Sequence, residues 1–204
     1  MSDFSEFYPT PKELVDKALE GVNWKLMRRD MQILEPSAGM GDFADGVVDA
    51  FEKHLYGERP HVDCIELNAE LRATLKGKGY PVIADDFLSF HTFKQYDLVV
   101  MNPPFSNGEE HLLAALELQK NGGSIICILN AETIKNPYTM KRKMLVQQLD
   151  ELHASIEFLQ DTFTDAKRPN SVEIALIKVV IPQKERSGFI LEQLKEGEKR
   201  KQRN

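Results

Sequence analysis

The chain is poor in the residue types that carry metal and thiol chemistry. Two cysteines, Cys64 and Cys127, are all it has in 204 residues. Both lie in apolar, strand-like runs and read as buried thiols of a reducing compartment, not as a disulfide or metal pair. Five histidines, His54, His61, His91, His111 and His153, show no ligand spacing with cysteine or with one another, so no metal is expected. No apolar stretch approaches the roughly 20 residues of a membrane span. The opening Met1-Ser2-Asp3-Phe4 is not that of a secretory leader, and a cytoplasmic location without membrane contact is expected. Positive charge is also short. With 26 Lys and Arg against 32 Asp and Glu, the net charge is −6, which argues against general electrostatic capture of a polyanion.

What is present is the composition of a soluble globular domain, 42% hydrophobic and 28% charged. The expected organisation is one domain over 1–182 and a tail over 183–204. The basic cluster Lys195 to Arg203 in that tail is interrupted by Glu196 and Glu198, as in a solvated helix end or a disordered segment.

Hydrophobic spacing gives an alternating order of strands and helices. Thr10 is placed as N-cap and Pro11 as first residue of a helix ending at Gly21. Strands are expected at 31–35, 61–66, 81–84, 96–101, 124–129, 155–159 and 172–181. Helices are expected at 42–54, 68–76, 109–120 and 140–153. This alternation predicts an α/β domain with a mostly parallel sheet and helices on both faces.

The stretch that organises this pattern is Asn102-Pro103-Pro104-Phe105. It follows the apolar run 96–101, which Pro103 and Pro104 end because neither supplies a ladder N–H. An amide at the carboxyl end of a central strand lies where open α/β sheets place their chemistry. Asn102 carries an acceptor and a donor in one plane, and the prolines leave carbonyls without competing N–H groups. Phe105 adds a flat π-face. The set suits an exocyclic amine on a planar ring, although Asn-Pro-Pro is also an ordinary turn sequence.

Three further strand ends carry related chemistry. In Glu35-Pro36-Ser37-Ala38-Gly39-Met40-Gly41, two glycines let backbone approach a ligand at a helix N-terminus; a lone G-x-G is also a plain tight turn. Glu66 lies about 25 residues beyond Gly41, near where a ribose-binding carboxylate sits in nucleotide-binding α/β folds, or is a helix-start charge. Asp86 and Phe87 offer a carboxylate and a ring to a purine, with Asp85 able to exchange roles with Asp86.

The order YPTP, ILEPSAGMGDFADGV, CIELN, ADDFL, DLVVMNPPF and GGSIICILN resembles the class I S-adenosylmethionine-dependent methyltransferases of the N6-adenine type. The resemblance extends to about residue 181 and rests on six motifs in order. It implies a Rossmann-like seven-stranded sheet with an antiparallel last strand, S-adenosyl-L-methionine as cofactor, and methyl transfer to N6 of adenine in nucleic acid, DNA ahead of RNA. By that resemblance Thr10 and Pro11 touch the methionine end. Glu35, Pro36, Gly39 and Gly41 form the floor around the amino acid and sulfonium. Glu66, with Leu67 beside it, holds the ribose, and Asp86 and Phe87 take the adenine, with Asp85 alongside. Asn102 and the Pro103 carbonyl accept the target amine, Pro104 stiffens the loop, and Phe105 stacks on the target base. A full G-x-G-x-x-G, which a pyrophosphate cofactor would want, is absent.

Lys135, Tyr138, Lys141 and Arg142 follow the fifth strand, and Lys167 and Arg168 precede the last; all are candidates for substrate contact. The 130–142 stretch also reads as a solvated helix start. No separate target-recognition domain is expected, so either specificity is low, or loops, a specificity subunit or a homodimer would supply it. Two other readings use the same motifs: a methyltransferase for glutamine side-chain amides, and a non-catalytic cofactor-binding partner subunit.

Overall fold

The computed structural model describes residues 9–22, 24, 30–54, 59–160 and 172–183. Seven strands form one sheet: β1 (Gln32–Pro36), β2 (His61–Ile65), β3 (Val82–Ala84), β4 (Leu98–Met101), β5 (Gly123–Asn130), β6 (Ser155–Gln160) and β7 (Glu173–Ile181). Their order is β3-β2-β1-β4-β5-β7-β6. The first five run parallel, and β7 is antiparallel to both β5 and β6. The expected Rossmann-like sheet with an antiparallel last strand is therefore present. The chain crosses over between β3 and β4, so β1 and β4 are central neighbours whose outgoing loops diverge. That is the topological switch at which open sheets bind ligands.

The helices are α1 (Lys12–Leu19), α2 (Asp42–His54), α3 (Ala69–Gly77), α4 (Gly108–Leu118), the single turn α5 (Glu132–Lys135) and α6 (Met140–Glu151). They cover both faces because the strands are apolar on both. On one face Leu14, Val15, Phe43, Val47, Phe51 and Leu75 from α1, α2 and α3 pack on Ile33, Cys64, Leu98, Val100 and Ile126. On the other, Leu112, Leu116, Leu145 and Leu149 from α4 and α6 pack on Leu34, Val99, Met101, Ile125 and Cys127. Gly46 lets α1 and α2 close together, since a Cβ there would lie 2.2 Å from Val15 Cγ1.

The helix starts show where local sequence dominates. Asn68 caps α3 by accepting from the N–H groups of Glu70 and Leu71, and Thr139 caps α6 by accepting from Arg142. The expected cap at α1 is different. Pro11 occupies the cap position, Lys12 is the first helical residue and no side chain caps the turn, because Thr10 is bonded elsewhere. Both cysteines are buried and unpaired. Among the described residues no helix is long and apolar enough to cross a membrane. The expected tail lies, from residue 184 on, outside the described residues.

Candidate functional site

β4 is uniformly buried from Leu98 to Met101, and its next residue carries the polar group. Asn102 is half-buried, and its Nδ2 donates to Thr10 Oγ1 at 3.0 Å. Thr10 is itself buried, and its backbone N–H donates to Asp42 Oδ2 at 2.7 Å. Asp42 directly follows Gly41, so this relay places the Asn102 amide beside the glycine turn. With Nδ2 committed, the planar amide turns Oδ1 away from Thr10, and no donor among the described residues reaches it. The Pro103 carbonyl likewise accepts nothing among the described residues, whereas that of Pro104 accepts from Asn107 N–H at 3.3 Å. Pro103 is buried; Pro104 and Phe105 are half-buried, with Phe105 packed against the α1–α2 core cluster.

The turn between β1 and α2 is held from three directions. Ala38 N–H donates to Ile65 O at 2.9 Å, across to the end of β2. Gly39 N–H donates to Glu66 Oε2 at 2.7 Å, while Glu66 Oε1 accepts from Asn68 N–H at 2.8 Å. Glu66 thus bridges the glycine turn to the start of α3, and each oxygen keeps one lone pair. Gly41 has φ +84°, a left-handed conformation that favours glycine, and a Cβ there would press on the end of the Leu75 side chain, 2.9 Å from Cδ2. Ser37 also has positive φ, 61°, a conformation that concentrates at functional sites.

Glu35, expected on the ligand floor beside the buried Pro36, is spent on the helix. Its Oε1 accepts from Phe43 N–H at 3.2 Å and its Oε2 from Ala44 N–H at 2.9 Å. Burial pushes its carboxyl well above the ordinary 4.5, against the pull of those two bonds. Stability from this group is therefore complete below about 4.5 and is lost as pH rises from there through the raised value. We expect the melting temperature of the native chain, relative to Glu35→Gln, to fall with rising pH in thermal melts. A constant difference would contradict the assignment.

Beyond β3, Asp86 is half-buried and its Oδ1 accepts from Leu88 N–H at 3.0 Å. Asp85 is exposed and ion-paired with Arg72 Nε at 3.4 Å. Leu67 is exposed beside Glu66. The Phe87 ring, expected at the adenine edge, is buried in the α4–α6 core cluster, 6.1 Å from the His111 ring. His111 is buried against the Asn107 carbonyl, and burial holds its pKa below the ordinary value. No cluster of metal-ligating residues occurs among the described residues.

The basic rim differs most from expectation. Lys135 bonds both oxygens of Glu173 at 2.6 Å and lies over the Phe158 ring. Lys141 pairs with Glu110, and Arg142 Nε donates to Glu109 Oε1 at 3.1 Å. These candidate phosphate contacts are already matched to carboxylates. Lys167 and Arg168 lie outside the described residues.

No protein-family model and no curated protein sequence matches the chain. Solved structures do. The M protein of the type I restriction enzyme EcoKI is 14% identical, with a TM-score of 0.66 over 90% of this chain and 46% of its own. The 23S rRNA methyltransferase ErmE is 17% identical, with a TM-score of 0.60 over 92% and 75%. A Listeria monocytogenes protein assigned to the class I S-adenosylmethionine-dependent methyltransferases is 15% identical, with a TM-score of 0.60 over 84% and 59%. The chain has the class I methyltransferase fold. It spans 46% to 75% of the length of these three structures.

Within that methyltransferase fold, three contacts around the candidate site escape sequence reasoning. Asp42 anchors Thr10; an acidic residue just after G-x-G was the available signal, but it reads equally as an ordinary first-turn acid. Arg72 ties the end of β2 to the residue after β3, its Nη1 donating to the carbonyls of Glu66 and Leu67 at 3.0 and 2.6 Å. Asp63, buried within β2, accepts from Lys94 Nζ at 2.6 Å and Tyr96 Oη at 2.9 Å, fixing the segment that follows Asp86. Burial raises the Asp63 carboxyl, but these partners outweigh it and hold it below the ordinary value.

The Thr10 relay makes its own prediction. Thr10→Val removes the oxygen that orients Asn102 and is expected to lower kcat about tenfold with cofactor affinity little changed, while Thr10→Ser restores the rate. Equal kcat in both variants, measured beside cofactor titrations, would contradict it.

Proposed function

We propose that this chain transfers a methyl group from S-adenosyl-L-methionine to the exocyclic N6 of adenine in nucleic acid, DNA ahead of RNA. The observation that carries the proposal is the Asn102 amide, fixed through Nδ2 by Thr10 at 3.0 Å, with no donor to Oδ1 among the described residues. The residues present fit the cofactor. The glycine turn admits close backbone approach, Glu66 has spare lone pairs for two ribose hydroxyls, and Asp86 has one for an adenine amine. Glu66 and Asp86 make the region acidic, which suits a cationic, phosphate-free ligand. When bound, S-adenosyl-L-methionine supplies an electrophilic methyl on its sulfonium.

The chain's own work is positioning and electrostatics. The adenine amine is a poor nucleophile because its lone pair is delocalised into the ring. Asn102 Oδ1 and the Pro103 carbonyl accept its two hydrogens and favour a tetrahedral nitrogen with the lone pair aimed across the site. The half-buried Phe105 supports the ring, and its packing against the core keeps it from swinging away. The nitrogen gains the methyl before its proton leaves to solvent, so no strong base is required, in keeping with a neutral, buried His111.

ErmE, a 23S rRNA methyltransferase by name, and the M protein of the type I restriction enzyme EcoKI support a nucleic-acid substrate. Because the chain spans only part of each, target recognition by a partner or by loops belongs to the proposal. Incubation with methyl-labelled cofactor and separate DNA, RNA and protein pools tests it. Label in DNA is expected; label in protein alone, or cofactor binding with no transfer to any pool, would overturn it.

A further inference from the structure

The rim beside Asn102 is built by the segments leaving β4 and β5, which are parallel neighbours. The two segments are joined directly, Lys141 to Glu110 and Arg142 to Glu109. A surface that captures duplex DNA needs several unmatched Lys and Arg to displace phosphate counterions. It must also meet the cost of extracting a base from the stack. Here the balance is reversed. Lys135, Lys141 and Arg142 are each matched by a glutamate, and in this segment only Lys143 lacks a carboxylate partner among the described residues. The chain as a whole carries −6.

What the rim presents instead is one exposed aromatic ring. Tyr138 is 74% exposed, yet it is firmly held. The Arg142 guanidinium lies 4.7 Å from its ring centre, covering one face and leaving the other to solvent. Arg142 is locked in turn, its side chain 13% exposed and bonded to a Glu109 side chain that is 11% exposed. The backbone is fixed on both sides: Tyr138 N–H donates to Asn136 O at 2.8 Å, and Thr139 caps α6. A ring presented this way loses little freedom on stacking. Every base has a π-face, and an unpaired base offers it, whereas in a duplex neighbouring pairs cover it.

We infer that the chain takes its adenine from an unpaired DNA strand, with Tyr138 as the stacking platform for a nucleotide next to the target. This rests on the nucleic-acid reading above. It replaces phosphate capture by the basic rim with capture by stacking, so binding should depend only weakly on salt.

The test is fluorescence anisotropy with a labelled adenine-containing oligonucleotide, presented unpaired, as its duplex, and as unpaired RNA. The unpaired DNA is expected to bind at least about tenfold more tightly than the duplex. Tyr138→Ala should lose about tenfold in affinity and Tyr138→Phe should retain it. Calorimetric cofactor affinity should be the same in all three proteins, which separates loss of the platform from loss of the fold. Duplex binding as tight as unpaired, or wild-type affinity in Tyr138→Ala, would overturn the inference. If the wild type binds no polynucleotide, the nucleic-acid reading itself fails; if it binds and Tyr138→Ala is unchanged, only the platform fails. Tighter binding of RNA than of DNA would support the platform and reverse the DNA preference.

Discussion

Asn102→Ala is expected to lower methyl transfer by at least about 100-fold in kcat, the scale of removing one preorganised partner of the reacting group. Cofactor affinity should be nearly intact. The reason lies in how the amide is held. One side is consumed by Thr10 and contributes orientation; the other meets no donor among the described residues and is proposed to accept the incoming amine. Alanine removes that acceptor and leaves the Thr10 hydroxyl free to turn to water, so little strain follows. Asn102→Asp is the sharper variant. It keeps an acceptor but cannot donate to Thr10, and it places a negative charge beside a cofactor expected to be cationic. Its cofactor affinity should hold while its rate falls. Initial rates and cofactor titrations on the same samples check both, and a rate within a few fold of wild type in Asn102→Ala would remove the role.

Glu66→Ala should act on binding. The carboxylate accepts from Gly39 N–H at 2.7 Å and Asn68 N–H at 2.8 Å, and hydrogen bonds to a charged group are worth roughly 1.5–3 kcal/mol each. Loss of a ribose partner together with a loosened glycine turn is expected to weaken cofactor binding on the order of 10- to 100-fold by calorimetry. The melting temperature should fall as well, because a buried N–H at Gly39 loses its acceptor. Glu66→Gln, which keeps one oxygen for Gly39, should recover much of the stability and only part of the affinity. Wild-type cofactor affinity in Glu66→Ala would exclude the ribose assignment.

The architecture was legible because its signals are local. β4 is four consecutive buried residues ended by two prolines, and α3 and α6 start on ordinary side-chain caps. The strand-end carboxylates Glu66 and Asp86 could be placed near one another in advance, because parallel strands such as β1, β2 and β3 bring their carboxyl ends to one edge. What was not legible depends on contacts distant in sequence. Thr10 reads as a helix cap, yet its hydroxyl serves a residue 92 positions away. Glu35 and Glu66 look alike, but one holds the start of α2 while the other bridges the glycine turn to the start of α3. Phe87 is equally suited to core or pocket wall by type, and packing against His111 puts its ring in the core. Lys141 and Arg142 count as positive charge in the sequence. Their partners Glu110 and Glu109 lie 31 and 33 residues earlier on another helix, and only the fold joins them. The single turn α5 is too short to leave a periodic pattern.

The most direct measurement is nucleoside analysis of DNA after incubation with the purified chain and S-adenosyl-L-methionine, with Asn102→Ala as the parallel sample. N6-methyladenine that rises with time in the first sample and stays at background in the second is the predicted result. Methylation at any other base position, or equal yields from the two proteins, would contradict the role given to the Asn102 amide.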